Sequence, residues 1–256
     1  FESNLIGAIQ IKNLLFAVLA ANKILPMKKI IKSLHKIKSV NGRFEKIGNL
    51  KNNSTVILDF AHTPQALKIC LENIKKQFKY KKISLVFGCG GERDKPKRKI
   101  MGMIANELAD KIYLTDDNPR GEDPKKIRSQ IKKKIINSKL NEIASRSKAI
   151  KKAVQDLNSD SVLVVAGKGH ENYQQYLNKK FFSDKKHILR NIKLKNKQLS
   201  KDWKVNILKE KIPKIKLKKI NFASIDSKKI EKNDIFFGIK GKNTDGNKFA
   251  NEAIKK

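Results

Sequence analysis

The chain has 256 residues, 39% hydrophobic and 32% charged, which is typical of a globular protein with one large or two ordinary domains. No apolar run reaches the roughly 18 residues of a membrane-spanning helix, and the chain does not open like a signal peptide, so neither membrane insertion nor secretion is predicted. The two cysteines, Cys70 and Cys89, make no disulfide framework and lack metal-site spacing, which favours a cytoplasmic location.

The net charge of +35 is compatible with a surface that binds nucleic acid. The 59 basic side chains, however, are spread along the whole chain, and all but seven of them are lysine. This pattern indicates a compositional bias that places lysine on solvated faces. The few arginines therefore stand out, because a planar guanidinium can make paired hydrogen bonds to a carboxylate and lysine cannot.

The chain begins with two predicted amphipathic helices, over residues 5–24 and 27–38, which are interpreted as the end of a larger domain. From residue 43 to 193, short apolar runs alternate with amphipathic helices, a pattern typical of a parallel sheet covered by helices. The predicted strands are 55–59, 83–87, 111–115, 141–144 and 161–166, and the helices between them are 65–78, 97–109, 124–137 and 146–157.

The rest of the chain predicts a join and a second globular piece. Residues 194–220 are rich in lysine and low in complexity, which favours a linker. Strands are predicted at 222–226 and 234–239, and a helix from about residue 246. The predicted fold class is α/β: a Rossmann-like, mostly parallel sheet covered by helices, flanked by a helical remnant and a partial small α/β domain.

Four of the five predicted strands run directly into a dense polar segment. Ligands of open parallel sheets bind at the carboxyl ends of the strands, so these segments predict one polar rim. Each segment alone is also compatible with ordinary turn chemistry, since Gly, Asn, Asp and Pro are common loop residues. The segments are DFAHTP (59–64), GCGGERD (88–94), DDNPRGEDP (116–124) and GKGHE (167–171).

The residue types in this rim suit a zwitterionic ligand with more than one carboxylate. Three glycines in the second segment would let backbone amides approach a ligand, and Arg93 beside them offers a two-pronged carboxylate contact. Arg120, held by the stiff Asn118-Pro119 pair, would make a second such contact, and Glu171 would hold an ammonium group. Cys89 is interpreted as a buried packing residue and not as a nucleophile.

Taken in order and spacing, the motifs over residues 5–190 resemble the Mur ligases, most closely the members that form the tripeptide precursor of peptidoglycan. The opening LIGAIQIKNLLFAVLAA resembles the end of that family's central ATPase domain, but has Ile9-Gln10 where the family usually has Phe-Asn. The other matching segments are GRFE (42–45), DFAHTPQAL (59–67), VFGCGGERDKPKR (86–98), TDDNPRGEDP (115–124), SRSKAI (145–150), AGKGHENYQ (166–174) and SD (183–184).

The resemblance implies an ATP-dependent carbon–nitrogen ligase. ATP would phosphorylate the carboxylate of UDP-N-acetylmuramoyl-L-Ala-D-Glu with Mg²⁺ at the phosphates, and meso-diaminopimelate would attack the acyl phosphate. No catalytic residue or metal ligand is predicted in this chain. The implied ATP contacts are Arg43, Asp59 and His62, and the implied meso-diaminopimelate contacts are Arg93, Asp117, Asn118, Pro119, Arg120, Gly167 and Glu171.

The resemblance also divides the chain into four parts. Residues 1–42 would end the central ATPase domain, 43–193 would form the C-terminal amino-acid-binding domain, and 194–220 would be a linker. Residues 221–256 resemble the start of the N-terminal substrate domain of a second, D-Ala-D-Ala-adding Mur ligase. The expected partners are the two substrates and the N-terminal and central domains preceding residue 1. Because no GxxGK[ST] loop occurs, we predict that the chain alone forms no amide bond.

Three alternatives remain at this point. A lysine-adding Mur ligase would differ in its affinity for meso-diaminopimelate relative to lysine. Folylpolyglutamate synthetase shares the fold and chemistry but would not be expected to combine DNPR with GKGHE. A basic nucleic-acid-binding module predicts tight, steeply salt-dependent binding, although stacking aromatics are sparse, with one tryptophan and four tyrosines.

Overall fold

The computed structural model describes residues 5, 7–211, 223–224, 227–229, 235–238 and 245–254. Its contacts divide the chain into two units, residues 1–196 and 197–256, each of which is described by itself. The helices are α1 (Ala8–Ala21), α2 (Met27–Ser33), α3 (Pro64–Gln77), α4 (Pro96–Leu108), α5 (Pro124–Lys132), α6 (Arg146–Gln155), α7 (Asp184–Lys211) and α8 (Ala250–Ile254). The strands are β1 (Glu45–Asn49), β2 (Thr55–Asp59), β3 (Lys82–Phe87), β4 (Lys111–Leu114), β5 (Leu140–Glu142), β6 (Ser161–Ala166), β7 (Tyr173–Gln175), β8 (Lys179–Phe181), β9 (Ala223–Ser224) and β10 (Ile235–Phe236).

The first unit is built on a six-stranded sheet with the order β1-β2-β6-β3-β4-β5. Within this sheet β1 is antiparallel to its neighbour, and the other five strands are parallel. Residues 162–166 of β6 are fully buried, as expected for a central strand covered on both faces. The predicted α/β sheet covered by helices is thus confirmed. Strand β1 is absent from the prediction because EKIGN has one large apolar residue.

The strand order places the ends of β2, β6, β3 and β4 side by side. These are the four strands that run into polar segments, so the predicted rim forms at one edge of the sheet. Helices α3 and α5 begin just beyond the rim. Thr63 accepts a hydrogen bond from Ala66 N at 3.3 Å and Asp123 accepts one from Lys125 N at 2.9 Å, and each is followed by proline at the first helical position.

Helix α5 ends at Lys132, five residues before the predicted end. The chain leaves the helix and buries Ile135 in the main core before β5 begins at Leu140. Periodicity alone does not show this exit, because residues 133–136 (KKII) are compatible with one more helical turn.

Helices α1 and α2 pack against each other around Leu14, Ile30 and Leu34. They are tied to the start of the sheet domain by Gln10, whose buried side-chain amide donates to the carbonyl of Arg43 at 2.7 Å. Gly42, with φ of 68°, lies so close to the 169–170 backbone that an added Cβ would be 2.2 Å from His170 N. The predicted domain boundary between residues 42 and 43 therefore lies where the N-terminal helices and the sheet domain contact each other.

Helix α7 continues through residues 194–211, where the sequence predicts a linker. Lysine is a good helix former, so low complexity does not exclude a helix there. Residues 212–220 lie outside the described part of the chain, and the linker stays a prediction for them. No helix of the described residues is long and apolar enough to cross a membrane.

In the second unit, β9 and β10 form a parallel pair, and a 3-10 turn at Gly246–Phe249 leads into α8. These elements fall within the strand and helix positions predicted for residues 221–256. Residues 227–229, 237–238 and 245 are also described, and the other residues of that segment lie outside the described part of the chain.

Candidate functional site

A cavity of about 630 Å³ opens at the carboxyl edge of the sheet and is lined by residues from all four polar segments. We call it the rim cavity. Among the predicted site residues, those that line it are His62, Arg93, Asp117, Asn118, Arg120, Gly167 and Glu171. Pro119 is buried beside them but is not among the lining residues.

Arg120 contributes a guanidinium that is partly fixed by backbone carbonyls. Its Nη1 donates to Gly91 O at 2.8 Å and to Asn118 O at 3.3 Å. Nε and Nη2 make no hydrogen bond within the described residues, which leaves donors for a ligand in the rim cavity. The backbone of Arg120 is left-handed, with φ of 55°, and its N–H donates to Gln175 O at 3.0 Å. This conformation is unfavourable for a residue with a Cβ, so surrounding contacts must hold it.

Those contacts come largely from the β7–β8 hairpin, which the sequence does not predict. The side chain of Gln174 donates to Asp117 O at 2.9 Å and to Asp116 O at 3.3 Å. Gln175 N donates to Asn118 Oδ1 and the Tyr176 hydroxyl donates to Asp116 Oδ2, both at 2.9 Å. The segment from Asp116 to Arg120 is therefore braced along its length, and the stiffness of an Asn-Pro pair is not the main restraint.

Gly88 lines the rim cavity, where its close approach to a ligand stays a prediction, and Gly88 and Gly91 both allow two loops to approach each other. A Cβ at Gly88 would lie 2.2 Å from Thr115 O, and one at Gly91 would lie 1.9 Å from Pro119 O. Gly91 N is already engaged, since it donates to Asn118 O at 2.9 Å. These glycines let the loops after β3 and β4 pack backbone to backbone, which places Arg120 at the cavity.

Glu171 and Asn118 line the same cavity and are hydrogen-bonded to each other, Asn118 Nδ2 to Glu171 Oε2, at 3.1 Å. Asn118 is buried, whereas Arg93 is exposed and reaches the cavity from its outer side. The rim cavity thus includes two guanidinium groups, the Lys97 ammonium, an amide and the carboxylates of Asp94, Asp117 and Glu171. Such a set can pair with carboxylates and with an ammonium group of one small ligand.

Residues 42–169, half of the chain, match the family model described as "Mur ligase, glutamate ligase domain". The chain belongs to the Mur ligase family.

The most similar relatives of this Mur ligase domain include two proteins named UDP-N-acetylmuramoyl-L-alanyl-D-glutamate--2,6-diaminopimelate ligase. The one from Rickettsia felis is 44% identical over 194 residues, which is 75% of this chain and 36% of the relative. The one from Rickettsia conorii is 46% identical over 192 residues, or 74% of this chain and 39% of the relative. This chain therefore spans less than two fifths of the length of either protein.

Solved structures agree. A ligase of the same name gives a TM-score of 0.60 at 34% identity, covering 75% of this chain and 40% of that one. UDP-N-acetylmuramate-alanine ligase from Thermotoga maritima gives a TM-score of 0.52 at 16% identity, covering 77% and 39%, which shows the shared fold alone.

The residues predicted to contact ATP do not share one cavity in this Mur ligase domain. Arg43 and Asp59 border a second cavity, of about 490 Å³, together with Gln10 from α1. His62 lies in the rim cavity instead. The side chain of Phe60 lies between the two sets: its ring carries the Arg43 guanidinium at 4.2 Å from the centroid and packs edge-on to the His62 ring at 4.6 Å.

Asp59 is engaged within the domain. Its two carboxylate oxygens accept hydrogen bonds from Phe44 N and Ala61 N, both at 2.7 Å. Burial raises the pKa of Asp59, and these hydrogen bonds together with the charge of Arg43 oppose the rise. The carboxylate fixes the turn that carries Arg43, in addition to bordering the second cavity.

Two buried arginines were not predicted as site residues, although both lie in segments that carry the family resemblance. Arg146 of α6 makes paired hydrogen bonds to Asp184, at 2.8 and 2.7 Å, and donates to Ala166 O at 2.9 Å. Both side chains are fully buried. Arg146 Nη1 has no hydrogen-bond partner among the described residues and lies 3.9 Å from a carboxylate oxygen of Asp117. The buried Arg146 guanidinium therefore lies next to Asp117, on the protein side of the rim cavity.

Arg98 of α4 is fully buried and makes paired hydrogen bonds to Glu122, at 2.6 and 2.7 Å, while donating to Gly90 O at 3.1 Å. The hydrogen bond from Arg98 lowers the pKa of Glu122 to about 2. This pair joins the loop after β3 to the loop after β4.

Neither a cysteine nucleophile nor a metal site is supported among the residues that the structure describes. Cys89 lines the cavity but is 4% exposed and lies beside the sulfur of Met101 at 3.6 Å. Burial raises the pKa of its thiol to about 12, so it carries no thiolate at neutral pH, which supports a packing role. Within the described residues, no group of three His, Cys, Asp or Glu side chains could hold a metal ion.

Proposed function

We propose that the rim cavity binds meso-diaminopimelate as the amine substrate of an ATP-dependent ligase that extends UDP-N-acetylmuramoyl-L-Ala-D-Glu in peptidoglycan synthesis. The observation that carries this proposal is the side-by-side presence of Arg120, Arg93 and Glu171 in one cavity. Two guanidinium groups match two carboxylates, and one carboxylate matches an ammonium group. The names of the Rickettsia relatives support the same substrate.

In this proposal, Arg120 pairs with the carboxylate that meso-diaminopimelate has and lysine lacks. Lysine would leave the guanidinium without that partner, which disfavours it. Glu171 would hold an ammonium group, with the Asn118 amide hydrogen-bonded beside it, and Arg93 would reach the ligand from the exposed side. Asp117, Pro119 and Gly167 would act by shaping the wall, since a Cβ at Gly167 would lie 2.8 Å from Asp117 Oδ2.

ATP is proposed to contact the second cavity. An exposed guanidinium, Arg43, and a carboxylate, Asp59, border it, and both suit a ligand that carries phosphates and hydroxyl groups. When bound, ATP supplies the phosphoryl group that activates the acceptor carboxylate. The part of the chain described by the structure offers no three-ligand cluster for Mg²⁺, so no step is assigned to a metal held by these residues.

The assignment of residues 221–256 to a second, D-Ala-D-Ala-adding ligase is kept as a proposal. The family model ends at residue 169, so the support is the resemblance of the sequence and the order of β9, β10 and α8. The flanking coding sequence tests it: a GxxGK[ST] loop downstream of residue 256 is expected, and its absence would contradict the fusion.

Calorimetric titration of the purified chain with meso-diaminopimelate and with L-lysine tests the substrate assignment. We expect binding of meso-diaminopimelate and at least about 30-fold weaker binding of lysine, because leaving the half-buried Arg120 guanidinium without its partner costs about 2 kcal/mol. Equal affinities would contradict the assignment. Tight binding to a DNA oligonucleotide that collapses between low and moderate salt would favour the nucleic-acid alternative.

A further inference from the structure

Lys168 is a fully buried lysine just after β6, in the GKGHE motif that contributes Gly167 and Glu171 to the rim cavity. Its ammonium donates to Asn118 Oδ1 at 2.9 Å and to Glu171 Oε2 at 3.1 Å. A third oxygen, from Asp117, lies at 3.7 Å. A buried lysine costs free energy unless its charge is paired, and all three partners here belong to the proposed amino-acid site.

These contacts fix the orientation of the Asn118 amide. Its Oδ1 accepts from Lys168 and from Gln175 N, each at 2.9 Å, so the oxygen end must face the ammonium. The Nδ2 end then points to Glu171 Oε2, to which it donates at 3.1 Å. A flipped amide would bring its NH₂ group against two donors, which is unfavourable.

The same contacts make the two oxygens of Glu171 unequal. Oε2 receives both the Lys168 ammonium and the Asn118 amide. Oε1 accepts no hydrogen bond within the described residues and belongs to a side chain that lines the cavity. One oxygen of the carboxylate is therefore used for support, and the other is left for a ligand.

We propose that Lys168 is a positioning residue that sets Asn118 and Glu171 in a single arrangement, with Glu171 Oε1 directed to the ligand ammonium. The inference rests on the proposed function and adds a residue to it. Lys168 itself does not touch the ligand: it is absent from the cavity lining, and its donors face protein oxygens.

The test is the affinity of the full 256-residue chain for meso-diaminopimelate, measured by calorimetry for wild type and Lys168→Met. We expect a loss of about 30-fold or more, as for removal of one partner of a buried hydrogen-bonded charge pair. The matched control is Lys179→Met. Lys179 also lies over the Tyr173 ring, at 4.9 Å against 5.2 Å for Lys168, but it is exposed and contacts neither Asn118 nor Glu171.

If Lys168 only stabilised the fold, its loss would lower the affinity for meso-diaminopimelate whether or not Glu171 is present. A second experiment therefore measures whether the effects of the two substitutions depend on each other. Glu171→Gln and the double variant Lys168→Met/Glu171→Gln are compared. In Lys168→Met the Glu171 carboxylate loses its cation, whereas in the double variant position 171 is a neutral glutamine. The double variant is therefore expected to fold even where Lys168→Met does not. We expect a further loss of less than about 10-fold on adding Lys168→Met to Glu171→Gln, because most of the effect of Lys168 passes through that carboxylate.

Unchanged affinity of Lys168→Met, or a further loss of more than about 10-fold in the double variant, would overturn the inference and leave the proposed function standing. Failure of the wild-type chain to bind meso-diaminopimelate would overturn both.

Discussion

The carboxyl edge of the sheet has two halves of different construction. The half formed by the ends of β3, β4 and β6 forms most of the wall of the rim cavity, and its segment from Asp116 to Asn118 is hydrogen-bonded to the β7–β8 hairpin. The half at the end of β2 adds Phe60 and His62 to the rim cavity and also borders the second cavity, where the exposed guanidinium of Arg43 stacks on Phe60. In the first half, hydrogen bonds within the protein hold the cavity wall in place without a ligand. In the second half, the exposed Arg43 guanidinium is accessible to a ligand.

The difference suggests a division of labour. Selection between similar amino acids needs donors fixed to within a fraction of an ångström, since discrimination depends on leaving the wrong ligand unpaired. Under the proposed function, the second half supplies Arg43 as the cation for the phosphates of ATP. Variants can break or sharpen this contrast.

The largest expected effect is on stability, from Asp184→Asn. Removing one charge of the buried Arg146–Asp184 pair should lower the free energy of unfolding by roughly 3–5 kcal/mol, because the guanidinium would stay buried without its counter-charge. Urea unfolding followed by circular dichroism measures it. Glu107→Gln on the exposed face of α4 is the matched control. A loss below about 1 kcal/mol would mean that the pair does not brace this half.

The next effect is on binding, from Arg120→Met. Loss of the guanidinium should weaken meso-diaminopimelate binding about 100-fold and lysine binding far less, since only the former has the carboxylate assigned to Arg120. Titration of both ligands gives the ratio. Arg190→Met, which removes an exposed arginine of α7, should change neither affinity. An equal loss for both ligands would contradict the assigned contact.

A smaller effect is expected from the Arg98–Glu122 pair, and it depends on pH. The pKa of Glu122 is lowered from 4.5 to about 2 in the folded protein, so its stabilisation is complete above about pH 4.5 and is lost as the pH falls towards 2. Tm measured from neutral to strongly acidic pH should therefore be lower for Glu122→Gln than for wild type at neutral pH, with the two curves meeting in acid. Parallel curves would show that the carboxylate charge is not what stabilises the loops.

The smallest expected effect comes from Arg43→Met, which should leave meso-diaminopimelate affinity within about 2-fold of wild type, because well-separated sites act independently. Arg43 borders the second cavity, and among the described residues its guanidinium makes no hydrogen bond to the segment 116–120. Direct titration decides the matter. A loss of affinity of about 10-fold or more would show that the two cavities act as one site, which would contradict their separation into two halves.

The sequence was most informative where burial is complete. Residues such as Val162 to Val165 form a continuous apolar run because both faces of β6 are covered, and the run predicts a central parallel strand. Parallel strands bring their carboxyl ends to one edge, so the meeting of Asp117, Arg120 and Glu171 at one cavity follows from the order of strands and polar segments along the chain.

What the sequence did not reveal depends on contacts between distant segments. Arg146 and Asp184 are 38 positions apart, and nothing local to either residue indicates the pairing. The separation of His62 from Arg43 depends on how Phe60 turns at the end of β2. The β7–β8 hairpin has strands of three residues each, too short for a period-2 pattern to stand out.

The contact at Gly42 bears on how this domain could be excised. A fragment starting at residue 43 would lack the glycine that packs against His170 N and the Gln10 amide that caps the Arg43 carbonyl. Its newly exposed surface would include part of the GKGHE backbone. The smallest piece expected to fold on its own therefore includes α1, and a family boundary drawn from sequence matching at residue 42 marks similarity and not autonomy.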